Sequence, residues 1–393
     1  MPRIINWVIT SICLLFLSSA FWVSCVEPIQ THTAIPPGIW RAELNVEAGL
    51  DIIAAEIKDQ SEMALKDVKK GRLPFNFEVK YLDEQNFVLE IINGEERIEV
   101  KDIYFGKDRK TLMDTIRIDF PAYDSHISGF YRENVIEGEW VVNYRPAYRI
   151  PFLAYHGQKH RFATVQKEPI LDLTGKWEVQ FSPGTKDQYP AIGEFKQTEN
   201  GQLEGTFRTE TGDYRFLEGL VLEDKVYLSC FDGAHAFLFE AKIMPDKSLI
   251  GTFQSGKHYS TDWTAKRNDL ADLKDPFELT FLNPGYERLD FNLKNIEGGT
   301  LSLSDQKFQN KVKLVQITAS WCPNCRDESK FLKKYLESNP STELALISIG
   351  FEKYKEEEKA IKRLKQYKSK MEIPWDFVYG GYADKSEALN VLP

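Results

Sequence analysis

"KVKLVQITASWCPNCRDESKFLKKY", Lys311 to Tyr335, holds the pattern on which the reading of this chain turns. The first nine residues are nearly continuous in apolar content, as expected of a central strand covered on both faces. From Cys322 onward Phe331, Leu332, Tyr335 and Leu336 recur at helical spacing. Cys322 and Cys325 therefore fall where a strand turns into a helix. The first N–H groups of a helix lack internal partners and carry partial positive charge. A thiolate there is stabilised, so Cys322 is expected to have a lowered pKa and to be the attacking sulfur. Pro323 suits the first helical turn, where its missing N–H costs nothing. Cys325 lies one turn further along the same face and can resolve a mixed disulfide formed on Cys322.

Glu328 follows Cys325 by one more turn. It is either a proton shuttle for Cys325, which requires burial to raise its pKa, or a solvated acid that favours the helix dipole. Trp321 is expected to cover one side of the pair, and Asp327 to be solvated surface. A zinc site is the rival use of CxxC, but it wants four ligands, usually as two pairs. No second CxxC exists, and the nearest upstream histidine, His258, belongs to a different block of sequence. The reading is therefore redox, with no metal and no cofactor.

Around the pair, "YERLDFNLKN", "IEGGTLSLSD" and "TELALISIG" read as strands and "EEEKAIKRLKQYKSK" as a charged amphipathic helix. Strand, helix, strand, helix implies a βαβ unit and a parallel sheet. On these residues, 276–393 resembles the thioredoxin superfamily, and within it the exported thiol-disulfide oxidoreductases of the TlpA and ResA type. That family carries WCxxC on its first helix and often Glu three residues after the second cysteine, matched here by Glu328. Thioredoxin itself has a buried Asp where this chain has Gln316, which leaves Glu328 as the expected carboxylate of the site. The resemblance implies Cys322 and Cys325 as the redox-active disulfide, with Trp321 and Pro323 in support. It also implies disulfide-containing client proteins and a membrane electron donor. The family continues to a cis-proline and further strands. Pro374 comes too early for that residue and Pro393 is last. The domain is therefore expected to be C-terminally truncated, with an open sheet edge.

Upstream the grammar is different. "FNFEVKYL", "NFVLEII", "TIRIDF" and "GEWVVNY" belong to a strand-rich block over 38–165, and "GKWEVQF", "QLEGTFRT" and "AFLFEAKIM" to a second over 170–268. Leu50 to Lys70 has helical spacing instead. The blocks share features: Gly38-Ile39-Trp40 answers Gly175-Lys176-Trp177, and Asp114–Phe130 resembles Asp224–Phe239, with His126 near His235. Tandem duplication of a β-meander explains this; chance similarity between β-rich segments is the alternative. Such sheets are expected to have a core face and a wet face. His126 and His235 read as turn or core residues before binding residues, and Cys230 as a buried apolar residue. Residues 271–277 read as a linker.

The chain has 393 residues, net charge −9 and no long basic run, which argues against a nucleic-acid partner. Five cysteines are too few for a disulfide scaffold. Residues 1–24 have a basic start and a short apolar core, as in a secretory signal that would take Cys13 with it. Cys25 after Val23-Ser24 resembles the lipobox of bacterial lipoproteins, although Trp22 stands where that motif has an aliphatic residue. This makes Cys25 the expected lipid-bearing residue, with 25–37 as a tether; a plain secretory signal is the alternative.

The fold expected is multidomain α+β: two tandem antiparallel β-meander domains, then an incomplete α/β thioredoxin-like domain. The function expected is an exported, lipid-anchored thiol-disulfide oxidoreductase on the periplasmic side of a bacterial membrane, reducing rather than oxidising its clients. The rival is a binding lipoprotein whose β domains recognise a ligand, with an accessory redox domain.

Overall fold

The computed structural model describes residues 35–47, 70–84, 86–164, 168–340 and 343–384. Cys13, Cys25, nearly all of the expected helix from Leu50 to Lys70, and Pro393 lie outside them. No helix among the described residues is long and apolar enough to cross a membrane.

The first sheet contains β1 (Gly38–Asn45), β2 (Arg72–Tyr81), β3 (Phe87–Asn93), β4 (Glu96–Val100), β5 (Ile103–Lys107), β6 (Asp114–Phe120), β7 (Ser125–Arg132), β8 (Val135–Val142) and β9 (Arg149–His156). The second contains β10 (Gly175–Phe181), β11 (Tyr189–Gln197), β12 (Gln202–Thr209), β13 (Gly212–Asp213), β14 (Leu217–Leu222), β15 (Lys225–Phe231), β16 (Ala236–Ile243), β17 (Leu249–Ser255) and β18 (Tyr259–Arg267). Both are antiparallel meanders in which the first strand also pairs with the last, β1 with β9 and β10 with β18. They differ at one seam. β11 pairs with β12 and closes the second sheet into a barrel, whereas the first stays open between β4 and β5.

Alternation sets which side chains face inward. In β10, Trp177, Val179 and Phe181 are fully buried while Glu178 between them is exposed. Trp40 and Trp177 occupy matching places: each is buried, and each donates its indole N–H to the carbonyl four residues earlier, Pro36 at 3.1 Å and Leu173 at 2.8 Å. Asp114–Phe130 spans the β6–β7 hairpin and Asp224–Phe239 spans β15–β16, the same positions counted back from the last strand.

The two sheets pack through β2 and β15. Phe75 stacks on Phe231 with centroids 4.4 Å apart. Beside them the buried Arg161 donates to Ser229 Oγ at 2.9 Å, Asn93 Oδ1 at 3.0 Å and Glu218 Oε2 at 2.9 Å. A buried guanidinium is tolerable only when satisfied in this way.

After a single helical turn at Pro276–Leu279 comes the third sheet: β19 (Asn292–Asn295), β20 (Thr300–Ser302), β21 (Val312–Thr318), β22 (Leu344–Glu352) and β23 (Asp376–Tyr382). Its order is β20-β19-β23-β22-β21, with β21, β22 and β23 mutually parallel. Helices α1 (Pro323–Ser338) and α2 (Glu357–Lys370) make the crossovers. Both pack on one face, where Leu332, Leu364 and Tyr367 meet Leu346 and Phe377. Ile347, Ile349, Phe291 and Phe308 fill the opposite face.

Two expectations are corrected here. The strand covered on both faces is β22, not β21: among the described residues β21 pairs only with β22, and its Val312 and Ile317 are exposed. The inward face of α1 is Leu332 with Ser329 and the half-buried Leu336, while Phe331 and Tyr335 are exposed and stack on each other. Helical spacing admits either stripe, and the angle at which α1 meets the sheet selects one.

Candidate active site

Cys322 is the N-cap of α1, and Pro323, the first helical residue, is buried. The Cys322 sulfur accepts the backbone N–H of Cys325 at 3.2 Å. The two sulfurs are bonded to each other, with Cα atoms 5.3 Å apart, a separation ordinary for a disulfide. β21 delivers the chain to this turn, and the Cys325 amide of the first helical turn faces the Cys322 sulfur.

Trp321 is half-buried and donates its indole N–H to the Phe351 carbonyl at 3.1 Å, which ties the turn to the end of β22. The ammonium of Lys353 lies 4.4 Å from the centroid of the Trp321 ring. Burial first, then the nearby Arg145 charge, pushes the Lys353 amine below its ordinary range.

Behind the pair lies a buried polar network. Gln316, on β21, donates to Glu328 Oε2 at 3.0 Å and Ser329 Oγ at 3.1 Å, and accepts from Ser348 Oγ at 2.6 Å. Ser348 in turn accepts from Trp375, and Tyr367 donates to Ser329 Oγ at 3.0 Å. The network satisfies groups that would each cost about 1–3 kcal/mol if buried alone. Glu328 itself is exposed, so burial does not supply the environment that a shuttle role was expected to need.

Glu328 is also not the sole carboxylate near the turn. Glu352 at the end of β22 is 2% exposed and accepts from Ser320, through the backbone N–H at 2.8 Å and the hydroxyl at 2.9 Å. Burial dominates its environment and pushes its pKa up to about 7, against the pull of the Ser320 hydrogen bonds. The sequence carried one signal of this residue, an acid closing an apolar run. Spacing along the chain does not reveal that β22 ends beside the residue two before Cys322.

The second sheet supplies the other wall. Asn324, between the cysteines, donates to the Asp213 carbonyl at 3.4 Å. A Cβ on Gly212 would lie 2.9 Å from Asn324 Nδ2, so glycine permits this approach. Asp327 was expected to be solvated, but it accepts from the buried Arg215 at 2.5 Å and from Lys330 at 3.0 Å. Arg215 also pairs with Glu96 of the first sheet and, at 3.7 Å, with Asp232. Side chains from both β domains and from α1 therefore meet at one guanidinium.

Of the remaining candidates, Cys230 is fully buried, and burial pushes its thiol well above the ordinary range. His126 is half-buried on β7. His235 stacks on Phe237, with Nδ1 3.1 Å from Asp232. Pro374 is exposed between α2 and β23. Among the described residues no group of three or more His, Cys, Asp or Glu side chains is placed to hold a metal ion.

Residues 284–392 match the model of the AhpC/TSA family. Among solved structures, a thiol-disulfide oxidoreductase from Bacteroides fragilis is 23% identical over 25% of this chain and 69% of that one, with TM-score 0.21. A secreted disulfide oxidoreductase of Mycobacterium tuberculosis is 16% identical over 23% of this chain and 60% of that one, with TM-score 0.20. A protein of unknown function from Nostoc punctiforme, of the DUF3598 family, is 10% identical over 58% of this chain and 94% of that one, with TM-score 0.17. No curated protein matches the chain. The strand-to-helix turn with its cysteine pair thus lies inside an AhpC/TSA thioredoxin-like domain at the C-terminal end of a mostly β chain.

Proposed function

We propose that this protein is an exported thiol-disulfide oxidoreductase, held at a bacterial membrane by a lipid on Cys25, that reduces disulfides in client proteins. The observation that carries the reading is the Cys322–Cys325 disulfide at the N-terminus of α1, inside the matched domain. In the reduced enzyme the Cys322 thiolate attacks one sulfur of a client disulfide. A mixed disulfide forms and the first client thiolate leaves. Cys325 then loses its proton and attacks Cys322, closing the Cys322–Cys325 bond and releasing the second client thiolate. The client gains two electrons and the enzyme loses two, which a membrane electron donor returns. A carboxyl assists removal of the Cys325 proton: Glu328 is the one nearest in sequence but is exposed, and Glu352, buried with its pKa pushed up to about 7, is the one able to hold a proton near neutral pH.

The deciding experiment equilibrates the protein in dithiothreitol or glutathione buffers, traps free thiols with a bulky alkylator and reads the mass. Cys322 and Cys325 are expected to titrate together as one two-electron pair, with a potential on the reducing side of glutathione. Independent alkylation of the two thiols would sink the redox reading. Glu328→Gln and Glu352→Gln, compared in the pH profile of Cys325 reactivity, separate the two proton-transfer assignments. Incorporation of labelled palmitate, abolished by Cys25→Ala, tests the anchor.

A further inference from the structure

The barrel has no room for a ligand along its axis. Phe181, Phe207, Phe239 and Trp263 fill it, with centroid separations from 4.6 to 6.4 Å. Space opens instead at one mouth, where the end of β17 and the starts of β11, β16 and β18 face Trp321: a cavity of 440 Å³.

The walls of this cavity have a definite chemistry. Phe237, Phe253 and Trp321 give it flat apolar surfaces. Arg145 and Lys353 bring two cations to it, with Asp384 and Glu352 close enough to Lys353 to attract it. Arg145 lies 5.2 Å from the Tyr148 centroid and Lys353 lies 4.4 Å from that of Trp321, and the Lys353 ammonium also donates to the Ala383 carbonyl at 3.4 Å. His235 and His258 also line it, and no carboxylate does among the described residues. Tyr189 and Tyr214, bonded hydroxyl to hydroxyl at 2.6 Å, add phenols beside Tyr259. Burial first, then Arg145, His235 and Lys353, pushes the His258 imidazole below its ordinary range.

We propose that this cavity binds a small organic anion with a flat apolar body, an aromatic carboxylate in the simplest case. The carboxylate faces Arg145 and Lys353 and the ring lies among Phe237, Phe253 and Trp321. No carboxylate lines the cavity among the described residues, so an anion meets two cations there while the aromatic walls bury its ring. The site is distinct from the disulfide and its occupancy does not depend on redox chemistry. Because Trp321 both lines it and precedes Cys322, bound anion and redox pair share a wall.

The test is calorimetric titration of the full chain with benzoate, benzamide and acetate. Benzoate is expected to bind at least ~10-fold more tightly than neutral benzamide or ringless acetate, the factor that about 1.4 kcal/mol of charge or ring contact gives. Arg145→Gln and Lys353→Gln are each expected to weaken benzoate roughly 3- to 10-fold with the melting temperature unchanged. The contrast between ligands needs no variant, so a misfolded mutant does not rescue or sink the idea. Equal affinity for benzoate and benzamide overturns it. So does full benzoate affinity in both variants, or binding of an acidic aromatic dipeptide without any binding of benzoate.

Discussion

In the barrel, the side chains between the strands are rings: Phe181, Phe207, Phe239 and Trp263, all fully buried. In the thioredoxin-like domain the residues behind the cysteines are Gln316, Ser329, Ser348 and Glu352, each at most 3% exposed and bonded to one another or to Ser320. The two interiors rest on different physics. The barrel gains free energy from area removed from water, which does not depend on pH. The redox domain spends burial on groups that hold position and protons, and so its stability responds to pH.

The largest effect that separates the two is expected from Phe239→Ala. It should cost about 3–5 kcal/mol in denaturant unfolding and leave the potential of the Cys322–Cys325 pair unmoved. A shift in potential would mean that the barrel core and the redox turn are one cooperative unit.

Next comes Glu352. Its carboxyl titrates near 7 in the folded protein against 4.5 for an ordinary glutamate. Between those values the folded chain keeps a proton that the unfolded chain has released, so this group lowers stability as pH rises through the window. At about 1.4 kcal/mol per pKa unit, Glu352→Gln is expected to stabilise the protein by up to about 3 kcal/mol at pH 8 and to change little at pH 4. Chemical unfolding at both pH values checks this, and equal effects would contradict the burial argument.

His160, in the segment after the first sheet, supplies the opposite slope. Burial first, then Arg41, holds its imidazole down to about 4, below the ordinary 6.5. Here the unfolded chain binds the proton that the folded chain refuses, so stability falls as pH drops from 6.5 toward 4. His160→Leu is expected to flatten the acid limb of the stability profile while Glu352→Gln flattens the neutral one. A single variant flattening both would undo the assignment.

The smallest expected effect is that of Gln316→Leu, about 1–3 kcal/mol. The loss comes from leaving Ser348 Oγ without its acceptor and Glu328 without its donor. Replacing the pair Gln316 and Ser348 by apolar residues together should recover part of it, measured as a double-mutant cycle.

How much of this was legible in the sequence varies by element. Cys322, Pro323 and Cys325 could be placed from spacing alone, because a strand-to-helix turn is a local event. The strands of the first two sheets were legible as alternating runs, for the same reason. The membership of β22 rather than β21 in the doubly covered position was not, since both runs are apolar and only neighbouring strands decide which is covered. Asp327 looked like solvent-facing polarity because Arg215, its partner, is 112 residues away.

The sequence by itself determined the elements and the chemistry of one turn: two sulfurs at a helix N-terminus and two β-rich blocks each opened by a Gly-x-Trp. Those are properties of a few adjacent residues, set by backbone geometry and side-chain period. The tertiary structure alone decided that β11 meets β12 and closes one sheet while its counterpart stays open. It alone brought Glu352 to Ser320, and Arg145 and Lys353 to the same cavity. Such pairings depend on which surfaces pack when distant segments bury their apolar faces, and no local period encodes that choice.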